Sequence, residues 1–100
     1  MKIITMCGSM RFSEKMREIS EKLELGGNCV LTPVFPPEDE KKSYTKQEEK
    51  LFDLAHKERI KLSDAIFVVN VDNYIGSSTK SEIEFAKSLG KEIIYYMTAG

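Results

Sequence analysis

The side chain best placed to do chemistry is Glu82. On a helical wheel, Ala86 lies about 40° from it, Leu89 about 20° on the other side and Phe85 about 60° away. Lys80, Glu84 and Lys87 fall on the opposite face. Glu82 is thus a carboxylate in the middle of an apolar arc, in the first turn of a helix. The helix N-terminus favours its ionised form, and burial opposes it. A carboxylate there has to meet a partner or a ligand. The structural alternative is a capping box, Thr79-x-x-Glu82, with the carboxylate reaching back to the backbone. The two roles are compatible.

A second cluster is Cys7-Gly8-Ser9-Met10-Arg11. Glycine permits close backbone approach, and free N–H groups at a helix start, a hydroxyl and a guanidinium together suit a phosphate or a sugar hydroxyl. A strand-to-helix turn also needs a glycine on purely geometric grounds. The segment is not a P-loop, which requires GxxxxGK[ST]. Nor does it fit Cys-x5-Arg, because Ser13 stands where the arginine belongs. Asp72 could bind a ligand hydroxyl or assist proton transfer, whereas Asn73 reads as turn chemistry. Asp64 reads as a cap or turn. His56, the one histidine, reads as a surface or packing residue. Tyr74, Tyr95 and Tyr96 could stack on a base, with packing as the simpler role.

These residues need elements to hold them. Ile3-Ile4-Thr5-Met6-Cys7 is a nearly continuous apolar run, as expected of a strand covered on both faces. Phe12, Met16, Ile19 and Leu23 recur at helical spacing, and Gly26-Gly27 stops that helix. A strand follows at residues 29–32. Pro33, Pro36 and Pro37 then forbid regular structure, and Glu38-Asp39-Glu40-Lys41-Lys42 reads as a solvated loop or as a lid over a site. Thr45-x-x-Glu48 is a capping box. It opens a helix whose apolar side comes from Leu51, Leu54, Ala55 and Leu62, with Phe52 and Ile60 beside them. Residues 65–71 are the most strand-like stretch. A loop at 72–78, a helix from Thr79 to Leu89-Gly90 and a strand at 93–97 complete the chain.

Alternating strands and helices predict a small α/β domain over residues 1–100, a doubly wound, flavodoxin-like or Rossmann-like parallel sheet. It should have about four strands in the order 2-1-3-4, with helices on both faces. Ligands bind such sheets beyond the carboxyl ends of the strands, here in the loops after the first and third.

Fifteen Lys and Arg balance 16 Asp and Glu, for a net charge of -1, which argues against a nucleic-acid binder. No run reaches the roughly 18 apolar residues that cross a bilayer, and the opening Met1-Lys2-Ile3-Ile4-Thr5 is not expected to act as a secretory signal, its apolar stretch being too short. Cys7 and Cys29 read as reduced, buried thiols of a cytoplasmic protein. Neither a CxxC nor a spaced Cys/His pattern predicts a metal, and no cofactor is expected. The small core favours self-association.

Cys7-Gly8-Ser9-Met10-Arg11, together with Ser78-Thr79-Lys80-Ser81-Glu82-Ile83-Glu84-Phe85-Ala86 and Gly90-Lys91, resembles the nucleoside 2-deoxyribosyltransferase superfamily. The first segment is most similar to its 2'-deoxynucleoside 5'-phosphate N-hydrolase branch. The resemblance covers nearly the whole chain. It implies cleavage or transfer at the N-glycosidic bond of 2'-deoxynucleosides or their monophosphates, with Glu82 as the nucleophile that forms a deoxyribosyl-enzyme. Gly8, Ser9 and Arg11 match the loop that contacts the sugar or its 5'-phosphate. Gly76-Ser77-Ser78 resembles the glycine-containing approach to the nucleophile, placing Gly76 and Ser78 at the substrate. An acidic residue is expected on the helix before strand three, near His56, with Asp53 and Glu58 close by. An aromatic residue is expected where Thr5 stands. Homodimers or larger assemblies are common in the family.

The combined expectation is an enzyme on a small nucleoside or nucleotide, with Glu82 catalytic and Asp72 as an orienting or acid–base helper. Two alternatives stand beside it. One is a nucleotide-binding sensor with little or no catalysis; the other is a structural homodimer in which Glu82 caps a helix.

Overall fold

The computed structural model describes residues 1–35 and 43–97. The charged run at 38–42, with Pro36 and Pro37, lies outside the described residues, and so does the lid reading attached to it.

Four parallel strands form one sheet: β1 (Ile3–Gly8), β2 (Cys29–Leu31), β3 (Ala65–Val69) and β4 (Glu92–Tyr95). Their order is β2-β1-β3-β4, as the βαβ alternation predicts. Central β1 pairs with β3 from Ile4↔Ala65 to Gly8↔Val69. Its residues alternate between two cores. Met6 packs with Met16, Ile19 and Val69 on the face covered by α1 (Ser13–Leu25). Cys7 packs with Ile60, Ile66, Val68, Ile83 and Ala86 on the face covered by α2 (Lys46–Leu62) and α3 (Ser77–Ser88). Burial on both faces is why β1 reads as a continuous apolar run rather than an alternating one.

Local chemistry sets the ends of these elements. Ser9 accepts a hydrogen bond from the Arg11 N–H at 3.3 Å and opens a short 3-10 turn that leads into α1. Thr45 and Glu48 form the full capping box of α2. Strand β3 ends earlier than the apolar run does. Asn70 turns its amide onto Met97, accepting from its N–H at 2.8 Å and donating to its carbonyl at 2.9 Å. That clamp explains the one polar residue in the run.

The structure corrects three expectations. Helix α3 begins at Ser77 behind Gly76, and no side chain caps it. Thr79 is therefore buried inside the first turn, and no capping box with Glu82 forms. Cys29 is half-buried rather than buried. The largest correction concerns α2. Leu51, Leu54 and Leu62 are 61%, 50% and 70% exposed, while His56 and Ile60 are buried. The inward face is the more polar one, because it borders a cavity as well as the core.

Candidate active site

A cavity of about 530 Å³ opens beyond the carboxyl ends of β1 and β3, a size that suits a small molecule. Each wall comes from a different element. The loop after β1 brings Gly8 and Ser9, the start of α3 brings Gly76, Ser77, Ser78 and Thr79, and α2 brings Glu49, Phe52, Asp53, His56 and Arg59. Pro33, Val34, Tyr44 and Tyr74 also line it.

Gly8 is needed where it stands. A Cβ there would lie 3.2 Å from the Met16 sulfur and 3.2 Å from the Val69 carbonyl oxygen. The strand end therefore passes so close to α1 and β3 that a side chain there would force its neighbours to give by a few tenths of an ångström.

Glu82 is 8% exposed and reaches the cavity from the first half of α3. Helical spacing puts it on the same inward face as Thr79, Ile83 and Ala86, all buried. Around its carboxylate the Ser78 hydroxyl donates to Oε2 at 3.5 Å, the Cys7 thiol donates a further bond, and His56 Nε2 lies 3.7 Å from Oε1. Burial is the main force on this group and pushes its pKa from the usual carboxylate range up to about 7; Asp53 adds to the rise, and the Cys7, Ser78 and Lys57 contacts oppose it. Burial, reinforced by Glu82, likewise pushes the Cys7 thiol well up, so it stays protonated and serves as a donor.

His56 is 5% exposed. Desolvation and the Arg59 charge hold its pKa down at about 4, against weaker opposing contributions from the Met6 backbone and Asp53. His56 and Glu82 are consequently not an ion pair at neutral pH, although they touch. Arg59 Nη1 lies 3.2 Å from His56 Nδ1. A guanidinium can only donate, so Nδ1 accepts and the ring carries its proton on Nε2.

Cys7, His56 and Glu82 place one sulfur, one nitrogen and one oxygen within 4.8 Å of one another. Sequence spacing gave no sign of this metal-like trio. Its surroundings do not suit a cation. A metal on Nε2 would need Nδ1 to carry a proton and donate it outward, and Arg59 presents a donor there instead.

The other sequence-derived residues separate into two groups. Gly8, Ser9, Gly76, Ser78 and Glu82 all line the cavity. Arg11 and Asp72 are not among its lining residues. Arg11 lies flat on Tyr74, with its guanidinium carbon 3.9 Å from the ring centroid and a 3.2 Å bond to the hydroxyl. Because Tyr74 is itself a lining residue, Arg11 stands one side chain behind the wall. Asp72 is exposed on a left-handed turn at φ 54, with its N–H directed at the Met97 sulfur. Turn geometry accounts for that aspartate, and the structure does not bring it to Glu82.

Sequence reasoning passed over His56 and Cys7 as parts of the site, and reached Asp53 only through the family resemblance. A signal was available on α2, where 49, 52, 53, 56 and 60 recur at i, i+3, i+4, i+7 and i+11. That stripe mixes acidic, aromatic and imidazole groups, which a purely packing face does not.

Fold and site together describe an α/β domain with a buried carboxylate at the topological switch point of a doubly wound sheet. No family model and no curated protein matches the chain. Among solved structures, the chain is similar to a 2-deoxyribosyltransferase from Leishmania mexicana, with a TM-score of 0.70 and 17% identity. The match covers 99% of this chain and 66% of that one. The architecture is therefore the nucleoside 2-deoxyribosyltransferase-like fold, and the chain spans just under two thirds of that relative's length.

Proposed function

We propose that the protein breaks or transfers the N-glycosidic bond of a 2'-deoxynucleoside or its 5'-monophosphate, with Glu82 as nucleophile. The observation that carries this reading is the buried Glu82 carboxylate, held among neutral donors and facing a cavity of nucleoside size. A carboxylate in that setting is costly to a fold and useful to an oxocarbenium-like transition state, whose positive charge it stabilises. Attack on the anomeric carbon forms a deoxyribosyl-enzyme ester as the bond to the base breaks. Water or a second base then displaces Glu82.

The rest of the cavity offers groups for the remaining parts of such a substrate. The uncapped start of α3, with Ser77 and Ser78, and the Ser9 hydroxyl supply donors for a 5'-phosphate or sugar hydroxyls. Phe52 and Tyr74 offer ring faces to a base. Asp53, on the cavity wall and within electrostatic reach of Glu82, is the group we assign to proton delivery in place of Asp72, which does not line the cavity.

The self-association expected from the sequence has a surface to match. Leu51, Leu54 and Leu62 form an exposed stripe along α2, and a second copy of this chain is the occupant we assign to it. Glu48 sits in the first turn of α2 and Lys61 in the last. An antiparallel two-fold pairing therefore sets acid against base and opposes the helix dipoles.

Base release tests the reading. The wild type and Glu82→Ala are incubated with the four 2'-deoxynucleosides and their 5'-monophosphates, and products are separated by chromatography. Free base from the wild type alone supports it. Binding by thermal shift without base release from any substrate transfers the site to a sensor role.

A further inference from the structure

Arg59, His56 and Glu82 form a line of contacts from the cavity wall to the buried carboxylate. Arg59 Nη1 donates to Nδ1 at 3.2 Å. Nε2, on the other side of the ring, lies 3.5 Å from the Cys7 sulfur and 3.7 Å from Glu82 Oε1. An imidazole with an outside donor fixed on one nitrogen has its proton fixed on the other. Resting on the assignment of Glu82 as nucleophile, we propose that His56 is a positioning residue. Arg59 locks its ring as the Nε2–H tautomer, and that N–H holds the Glu82 carboxylate in the orientation from which it attacks.

Two features of the surroundings support this role over plain packing. A packing histidine needs no partner on Nδ1, yet here a guanidinium occupies it. The imidazole stays neutral while Glu82 ionises, so it can donate without forming an ion pair that would deaden the nucleophile. The 3.7 Å separation is longer than a hydrogen bond. Catalytic contacts of this kind tighten once the carboxylate is ionised and substrate excludes water. The titratable and charged groups that contact or act on the ring are Cys7 from β1, Asp53 and Arg59 from α2, and Glu82 from α3. Of these, Arg59 alone makes a directional bond to Nδ1.

The chain's single histidine makes the tautomer directly readable. Long-range proton–nitrogen NMR on the wild type at pH 7.5 should show protonated Nε2 and bare Nδ1. Arg59→Gln should admit the Nδ1–H form. A wild-type ring protonated on Nδ1 would overturn the proposal, whether or not the protein releases base.

Two substitutions then separate positioning from packing. His56→Gln retains an N–H near the Nε2 position, and His56→Met fills the space without one. The methionine variant should lose about tenfold to a hundredfold in kcat, with its acid limb moved to higher pH because Glu82 has lost a donor. The glutamine variant should recover most of that loss and keep the limb in place. Equal losses in both, with unmoved limbs, would reduce His56 to packing. If the methionine variant does not fold, the tautomer in Arg59→Gln and the limb in His56→Gln decide the matter. If the wild type releases no base, the reading of Glu82 fails by itself; carbon NMR of the Glu82 carboxyl then tests whether the donor lowers its pKa.

Discussion

At the residue scale, the proposed mechanism rests on the placing of one charge. Glu82 must be ionised to attack, and its pKa of about 7 makes the ionised fraction rise through neutrality. The kcat/KM of base release should therefore climb with pH and level off above about 8, with the midpoint of its acid limb near 7. A limb near 4.5 in a steady-state pH profile would show that the carboxylate is solvated during turnover. Glu82→Gln should lower base release by about three orders of magnitude or more while leaving ligand-induced thermal shifts in place.

At the element scale, two devices carry the geometry. Gly8 lets the end of β1 pass within contact of Met16 and Val69. Gly8→Ala must push those neighbours apart by a few tenths of an ångström, costing about 1–3 kcal/mol in a urea melt. The same shift displaces the Cys7 thiol from Glu82. The capping box of α2 acts on the opposite wall. Thr45→Ala should cost about 1 kcal/mol, and hydrogen exchange should show the loss concentrated in the first turns of the helix. Asp53 and His56 lie further along α2, so base release should survive this change at temperatures well below the melt.

At the scale of the whole molecule, the site also leaves a signature in stability. Glu82 has a folded pKa raised above its unfolded value, so its contribution is fully present below about pH 4.5 and is lost as pH rises through 7. His56 has a folded pKa depressed to about 4, so its contribution is present above about pH 6.5 and is lost as pH falls toward 4. Each is worth on the order of 3 kcal/mol, and over the shared range they oppose each other. The wild type should show a nearly flat melting temperature between pH 4.5 and 6.5. Glu82→Gln should be more stable than the wild type at pH 8 and lose that advantage steadily on acidification. His56→Gln should instead lose stability between pH 4.5 and 7. Parallel pH curves for all three proteins would contradict the pairing of these groups. The α2 stripe gives a separate test: Leu51→Asp with Leu54→Lys should convert a dimer to a monomer in sedimentation analysis. A wild type that is already monomeric at high micromolar concentration would remove the assignment of that surface.

Most of the architecture is written in local pattern. The apolar runs of β1 and β3, the glycines that close α1 and α3 and the Thr45 box are short-range signals, and with the handedness of βαβ units they determine the strand order. Glu82 was legible for the same reason, since a carboxylate in an apolar arc is visible within three helical turns. What the tertiary structure decided lies across elements. Cys7, His56 and Glu82 come from β1, α2 and α3, separated by 49 and 26 positions, and no spacing rule joins them. Asp72 shows the converse. It stands in the right loop by sequence, but it sits exposed on a left-handed turn and is not among the residues that line the cavity. The faces of α2 were misread because hydrophobic periodicity reports which stripe avoids water, not what covers it. On this helix the leucines are exposed, and the polar stripe turns inward to the cavity.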